Sequence, residues 1–344
     1  MINNYCTLFD SYYFTRGLCM YESLKKHSKN NFHLYIFTFD NKSYELLKSL
    51  NLEYVTLVSL EEFEDERLLS VKSTRSIGEY CWTSTGLSIK YCIEKFNLDS
   101  CTYLDADIYF FDDPCVLLEE VSDGSTLITE HRYTKKYDQS NSSGKYCIQF
   151  ITFHNNQHSI KLLNHWIDLC INWCYARVEN GKFGDQKYLD DWTSKFDFVN
   201  ELQHLGGGVA PWNMQQYLFN QKEDRIYGKT IKSKKSNQKF ELVFFHFHAL
   251  KFLDKNKIDL GSYDINDNIL NTIYKPYLKH LYSLNNRFNL DLISSTSPKK
   301  SFNFMNLYYI FKRLFVDKKL FIRFIRKLFY SKNNIYNIDD LVRR

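Results

Sequence analysis

Proline and glycine are scarce, four and twelve in 344 residues, well below the usual shares of about 5% and 7%. That excludes collagen-like and flexible low-complexity architectures. Nine cysteines (6, 19, 81, 92, 101, 115, 147, 170 and 174) are scattered and odd in number, and no two form a Cys-x-x-Cys pair. Neither a disulfide framework nor a structural zinc site is indicated, and a reducing cytosol is the expected compartment. No stretch of about 18 apolar residues occurs, and no basic segment followed by an apolar run opens the chain. The sequence therefore writes neither a membrane span nor an export signal. Gly-x-Gly-x-x-Gly and the Gly-Lys-Ser/Thr loop are also missing, which argues against a dinucleotide dehydrogenase and a P-loop ATPase. Any phosphate must be held some other way.

Aromatic residues are abundant: 26 Tyr and 28 Phe raise the aromatic share to 17%, ample material for a core. The net charge of +5 is unevenly spread, since residues 299–332 carry ten Lys and Arg against Asp317 alone. The rest of the chain is mildly acidic. A basic, aromatic tail on an acidic body differs from a nucleic-acid binder, whose positive charge follows a groove, so no nucleic-acid partner is expected.

Short apolar runs alternate with helix-period segments over the first hundred residues, the pattern of parallel strands joined by crossover helices. Strands are predicted at 5–9, 33–39 and 54–58, with helices at 15–27 and 43–50 between them. A further helix is expected at 83–96, capped by Thr83 or Ser84. Apolar residues at 162, 163, 166, 169, 170, 173 and 174 predict another over 161–177. A late strand is expected at 242–247 and helical structure at 264–288.

Four segments carry candidate chemistry. Asp105 and Asp107 sit in Tyr-Leu-Asp-Ala-Asp-Ile, flanked by apolar residues on both sides. If the backbone stays extended, residues i and i+2 share a face, so both carboxylates converge on one point. Two hard oxygen donors suit Mg²⁺ or Mn²⁺. An isolated Asp-x-Asp is more often a solvated strand end, but apolar flanks make charge costly unless a ligand or metal offsets it. His246 and His248 are also two apart. They read either as a hydrogen-bonded, half-buried pair or as a source of an imidazole ligand, which would favour manganese. Lys251 follows closely and is placed to neutralise a diphosphate. Gly184-Asp185-Gln186 opens a helical segment that Asp185 could cap, and Leu205-Gly-Gly-Gly-Val-Ala-Pro-Trp-Asn213 reads as a purpose-built turn.

In this order along the chain, the four segments resemble family 8 of the retaining, A-type-fold (GT-A) glycosyltransferases, the glycogenin and lipopolysaccharide galactosyltransferase-like enzymes. The matches are Tyr103-Leu-Asp-Ala-Asp107, Asp185-Gln186, Trp212-Asn213 and, in part, His246-Phe247-His248-Ala249 with Lys251. The resemblance spans residues 1 to about 255. It implies an α/β, Rossmann-like nucleotide-diphospho-sugar transferase fold with a mixed central sheet. Residues 1–255 would be the catalytic domain, and 256–344 a helical C-terminal region with a basic amphipathic tail at about 301–332. By the same resemblance, Asp105, Asp107 and His246 would hold Mn²⁺ or Mg²⁺ on the diphosphate of a nucleotide sugar. Thr7, Asp10 and Tyr12 would meet the base, Lys251 the diphosphate, Arg75 the donor sugar or a metal-binding carboxylate, and Asp185 and Gln186 the anomeric carbon. The chain departs from the family where it reads Cys147-Ile-Gln149 in place of Asn-x-Gly and Ala249 in place of Gly. Glu130 and His131 are the base candidates should the reaction invert.

The implied function is metal-dependent transfer of a sugar, with retention, from a nucleotide-sugar donor to a saccharide or lipid-linked acceptor in surface polysaccharide synthesis. The alternative is a catalytically decayed protein acting as a glycan-binding or scaffold module. The amphipathic tail fits an anionic membrane surface, and so a peripheral position on the inner membrane face. It fits equally a helix docked on the catalytic domain.

Overall fold

A computed structural model describes residues 2–29, 31–121, 125–231, 237–254, 257–288 and 334–342. Strands β1 (Asn3–Phe9), β2 (Phe32–Thr38), β3 (Val55–Ser59) and β4 (Ser100–Leu104) are parallel neighbours. β5 (Ile108–Phe110) leaves the sheet. β6 (Thr126–Glu130), β7 (Tyr146–His154) and β8 (Val199–Glu201) complete it in the order β3-β2-β1-β4-β7-β6-β8. β7 runs antiparallel to both β4 and β6, so the seven-stranded sheet is mixed and the α/β class expected from the sequence is the one observed. The order turns between β1 and β4: β1 leads outward to β2 and β3, whereas β4 leads the other way. Open α/β sheets bind ligands in the crevice at the carboxyl ends of such a strand pair.

Helices cover both faces and divide the core in two. Phe14–His27 and Lys275–Phe288 pack together on one face, with Leu18, Leu24, Tyr277, Leu278 and Leu281 buried. Ile77–Lys95 and Gln157–Asn172 cover the other, with Ile89, Ile93, Leu163 and Trp166 buried. The helical stretch Asp267–Phe288 thus shares the core of the first strands. A strand at Ile335–Asn337 pairs with Lys257–Asp259.

The first three strands and their helices lie within a residue or two of their predicted ends. The helix expected at 83–96 starts earlier, at Ile77. Its cap is Ser76, whose hydroxyl accepts from Glu79 N while the Glu79 carboxylate accepts from Ser76 N, a capping box. Thr83 and Ser84 lie inside this helix. Their hydroxyls donate to the carbonyls of Glu79 and Tyr80, each at 2.7 Å, which lets hydroxyl residues sit mid-helix. The helix expected at 161–177 runs over Gln157–Asn172, because Asn156 accepts from both His158 N and Ser159 N. The tail at 301–332 lies outside the described residues.

Candidate metal-type centre at the sheet switch point

Asp105 follows β4 directly, and its backbone N–H donates to Gln149 O on β7 at 3.1 Å. The chain does not remain extended, as the same-face reading assumed. Residues 105–108 form a turn closed by Ile108 N donating to Asp105 O at 3.3 Å, and that turn, not strand alternation, sets both carboxylates against one imidazole, that of His246. The partner ribbon comes from far along the chain. A strand at Phe244–His246, shorter than the predicted 242–247, pairs antiparallel with β5 in the register His246↔Ile108. Phe247 N donates to Asp107 O at 2.9 Å.

His246 Nε2 therefore lies 3.0 Å from Asp107 Oδ1 and 3.8 Å from Asp105 Oδ2. Burial disfavours charge on all three groups, yet they respond differently. Asp105 is pushed up to about 6, chiefly by burial, with Asp107 adding repulsion. For Asp107, burial is overcome by the charge and hydrogen bond of His246, which hold it at about 2. The imidazole is raised well above its ordinary value, because Asp107 outweighs burial. Without a metal, a protonated imidazole is thus what compensates the carboxylates.

The Gly-rich loop positions this ribbon. Gly206 O accepts from Val243 N and Phe244 N, at 3.0 and 3.2 Å, and a Cβ at Gly206 would lie 1.8 Å from Glu241 O. Only glycine permits that approach. Gly208 adopts φ +84°. Asn213 ties the loop off, accepting from Ala210 N and donating to His131 O and Gly208 O. Trp212 sets its ring edge-on to His246 and His248, with centroids 5.4 and 5.5 Å away.

Asp185 is 4% exposed. Burial, then the charge of Asp105, push its carboxyl up to about 8, while nearby Thr85 pulls the other way. It makes no side-chain cap; the segment it opens is a single 3-10 turn, Gln186–Leu189. Gln186 Nε2 donates to Ser143 O. Asp10, at the carboxyl end of β1, accepts from Tyr12 N and Tyr13 N at 3.0 and 3.2 Å, and Tyr12 rests against Tyr13. Thr7 is fully buried in β1, its hydroxyl without a partner among the described groups. Lys251 is exposed, opens the strand Lys251–Asp254 and makes no ion pair among the described residues.

Arg75 is placed differently from the expectation. Its guanidinium donates to Ile171 O and Thr74 Oγ1 and lies 3.9 Å from the Tyr175 ring centre. These contacts hold it on the end of the helix Gln157–Asn172. His131 is buried and held near 3 by that burial, stacked on Tyr133 and bonded through Nδ1 to Lys145 O.

No protein-family model matches the chain. The uncharacterized protein YfnD of Bacillus subtilis (strain 168) is 30% identical over 268 residues, 76% of this chain and 83% of YfnD. The chain belongs to the YfnD family. YfnF of the same organism, also uncharacterized, is 26% identical over 266 residues, 75% of this chain and 85% of YfnF. Among solved structures, the galactosyltransferase LgtC in complex with donor and acceptor sugar analogues gives a TM-score of 0.47 at 11% identity, over 86% of this chain and 98% of that one. The glycosyltransferase GlyE of Streptococcus pneumoniae TIGR4 gives 0.46 at 15% identity, over 88% and 66%.

In this YfnD-family chain, three groups around the centre have no role assigned by the sequence reading. Gln149 is fully buried, and its Oε1 lies 2.8 Å from His246 Nδ1. An amide oxygen only accepts, so Nδ1 keeps its proton and Nε2 is the nitrogen turned to the carboxylates. Thr85 reaches Asp185 from the helix behind the sheet. Arg16, 3% exposed, donates to Leu250 O and Tyr12 O and stacks on Tyr13 and Phe252. It clasps the segment that carries His248 and Lys251. Both Gln149 and Thr85 act through strand and helix pairings that span tens of residues, and no local spacing announces them.

Proposed function

We propose that the chain is a metal-dependent glycosyltransferase, moving a sugar from a nucleoside diphosphate sugar, expected as a uridine diphosphate sugar, to a saccharide or lipid-linked acceptor in surface polysaccharide synthesis. The observation that supports this reading is the meeting of Asp105, Asp107 and His246 at the switch point between β1 and β4, where nucleotide ligands of open α/β sheets bind. The donor set fits a divalent cation: two hard oxygens and one imidazole nitrogen, with Asp105 undercompensated. Mn²⁺, or Mg²⁺, held by these three side chains would act as a Lewis acid on the leaving diphosphate.

Other residues take the remaining tasks. Asp10 and Tyr12 follow the carboxyl end of β1 and would meet the base, with Thr7 buried in the strand beneath them. Exposed Lys251 would add positive charge beside the diphosphate. Asp185 and Gln186, coupled to Asp105 through charge on the Asp185 side, would face the anomeric carbon. Retention agrees with the weak basicity of His131, whose imidazole burial holds near 3, too low for an efficient general base at neutral pH.

A panel of nucleotide sugars with Mn²⁺ tests the reading. One donor should be hydrolysed slowly without an acceptor, and proton NMR of the first sugar released should show the donor's anomeric configuration. A decayed scaffold would hydrolyse none. Gln149→Met keeps volume but removes the acceptor for Nδ1–H, so Mn²⁺ affinity measured by calorimetry should fall on the order of 10- to 100-fold.

The basic tail at 301–332 is proposed to hold the enzyme peripherally on the inner membrane face. Residues 334–342 pair with and pack on the body, so a clean test leaves them in place. Replacing Lys312, Arg313, Lys318 and Lys319 by Gln should abolish sedimentation with anionic vesicles, at about 1 kcal/mol of attraction per charge, while donor hydrolysis is retained. Undiminished sedimentation would contradict the membrane role.

A further inference from the structure

Cys147 lies on β7, two residues before Gln149, so both side chains leave the same face of the strand. Ile148 between them points into the opposite core. Cys147 is 5% exposed and belongs to neither large core, lying in a small cluster with Ala210 and Trp212 beside the centre, which Tyr133, Tyr137 and Tyr263 border. Its sulfur interacts with the His246 imidazole. The sulfur, an Asp105 carboxylate oxygen and a His246 ring nitrogen all lie within 4.8 Å of one another. Tetrahedral ligand atoms with bonds of about 2.0–2.3 Å lie about 3.5 Å apart, so a small closure of these side chains puts all three on one cation.

We infer that Cys147 is a sulfur ligand of the centre, which therefore takes borderline, thiophilic cations such as Zn²⁺ and Co²⁺ in preference to Mg²⁺. This deepens, and rests on, the metal-centre reading above. Carboxylate oxygen alone suits Mg²⁺ and Mn²⁺, whereas an added thiolate moves selectivity toward softer ions. On coordination the thiol releases its proton to solvent, since a metal-bound thiol is deprotonated. The position follows from the β4–β7 pairing: Asp105 N bonds to Gln149 O, which sets the start of β7 alongside the aspartate turn. A second thiol cluster, Cys6, Cys92 and Cys101, is fully buried behind the sheet and provides the control.

The test is Co²⁺ titration of the full-length protein, read by absorption. Wild type should show the visible d–d bands of bound Co²⁺ and a near-ultraviolet sulfur-to-cobalt charge-transfer band. The charge-transfer band should vanish in Cys147→Ser and persist in Cys6→Ser. Zn²⁺ affinity should fall on the order of tenfold or more in Cys147→Ser, with Mg²⁺ affinity unchanged. X-ray absorption of the zinc-loaded wild type, which needs no variant, should show one sulfur in the first shell. Visible bands without charge transfer, a charge-transfer band that survives Cys147→Ser, or a zinc shell of nitrogen and oxygen only would overturn the inference and leave the metal centre standing. No Co²⁺ bound by equilibrium dialysis would overturn both.

Discussion

Asp107→Asn is expected to lose Mn²⁺-dependent donor hydrolysis by about a hundredfold or more while folding normally. The Asp107 carboxylate lies 3.0 Å from His246 Nε2 and, against burial, is held at about 2 by that partner. It stays ionised across any working pH. Asparagine keeps the shape and one oxygen but removes the charge that a cation on a diphosphate requires. The fold is spared because His246 can respond: without Asp107 the imidazole sheds its proton, so the cost stays below the roughly 3–5 kcal/mol of stranding a fixed buried charge. Initial rates at saturating Mn²⁺, with thermal unfolding as the control for folding, check this. Activity within tenfold of wild type at normal stability would contradict the role assigned to Asp107.

The second large effect has the opposite sign on stability. Asp185→Asn is expected to raise the thermal midpoint of the metal-free protein at pH 8 by several degrees, with a markedly smaller rise at pH 5, and to lose donor hydrolysis. Burial, with Asp105 adding repulsion, raises the Asp185 carboxyl to about 8, against about 3.9 in an unfolded chain. Below about pH 4 the group is protonated in both states and has no effect. Between 4 and 8 the unfolded state releases a proton that the native state keeps, so native stability falls as pH rises, and the loss is complete above 8. Asparagine carries no such penalty. About 1 kcal/mol corresponds to about 2–4 °C in domains of 150–250 residues, and a trade of stability for activity is common at functional sites. Scanning calorimetry at both pH values decides. Equal destabilisation at pH 5 and pH 8 would show that the Asp185 carboxyl is an ordinary structural contact.

How much the sequence disclosed depended on distance along the chain. Strands β1 to β3 were legible because their apolar runs, such as Tyr5 to Phe9, end in polar punctuation and alternate with helix-period segments. Asp105, Asp107 and His246 were legible as residue types in an apolar setting, yet the reason for their convergence was not. The same-face reading holds only for extended backbone, and it is instead a turn at 105–108, closed by one local hydrogen bond, that sets them. The hydroxyls of Thr83 and Ser84 looked like caps because a capping residue and a mid-helix residue that bonds backward differ only in backbone context. Arg75 is an isolated arginine in the sequence, and only the fold reveals that Ile171 O and Tyr175 occupy it. Gln149 and Cys147 could be seen as departures from a family pattern, but their contact with His246 depends on β4 meeting β7 and on a ribbon from about a hundred residues later. No periodicity encodes a pairing of that range.

Calorimetry of uridine diphosphate binding, with Mn²⁺ and then with excess chelator, tests the central claim most directly. If the carboxylates and imidazole hold a cation that bridges to the diphosphate, binding should be at least about tenfold tighter with Mn²⁺, worth about 1.4 kcal/mol, and the gain should disappear in Asp107→Asn. Equal affinity with and without the metal would contradict the account.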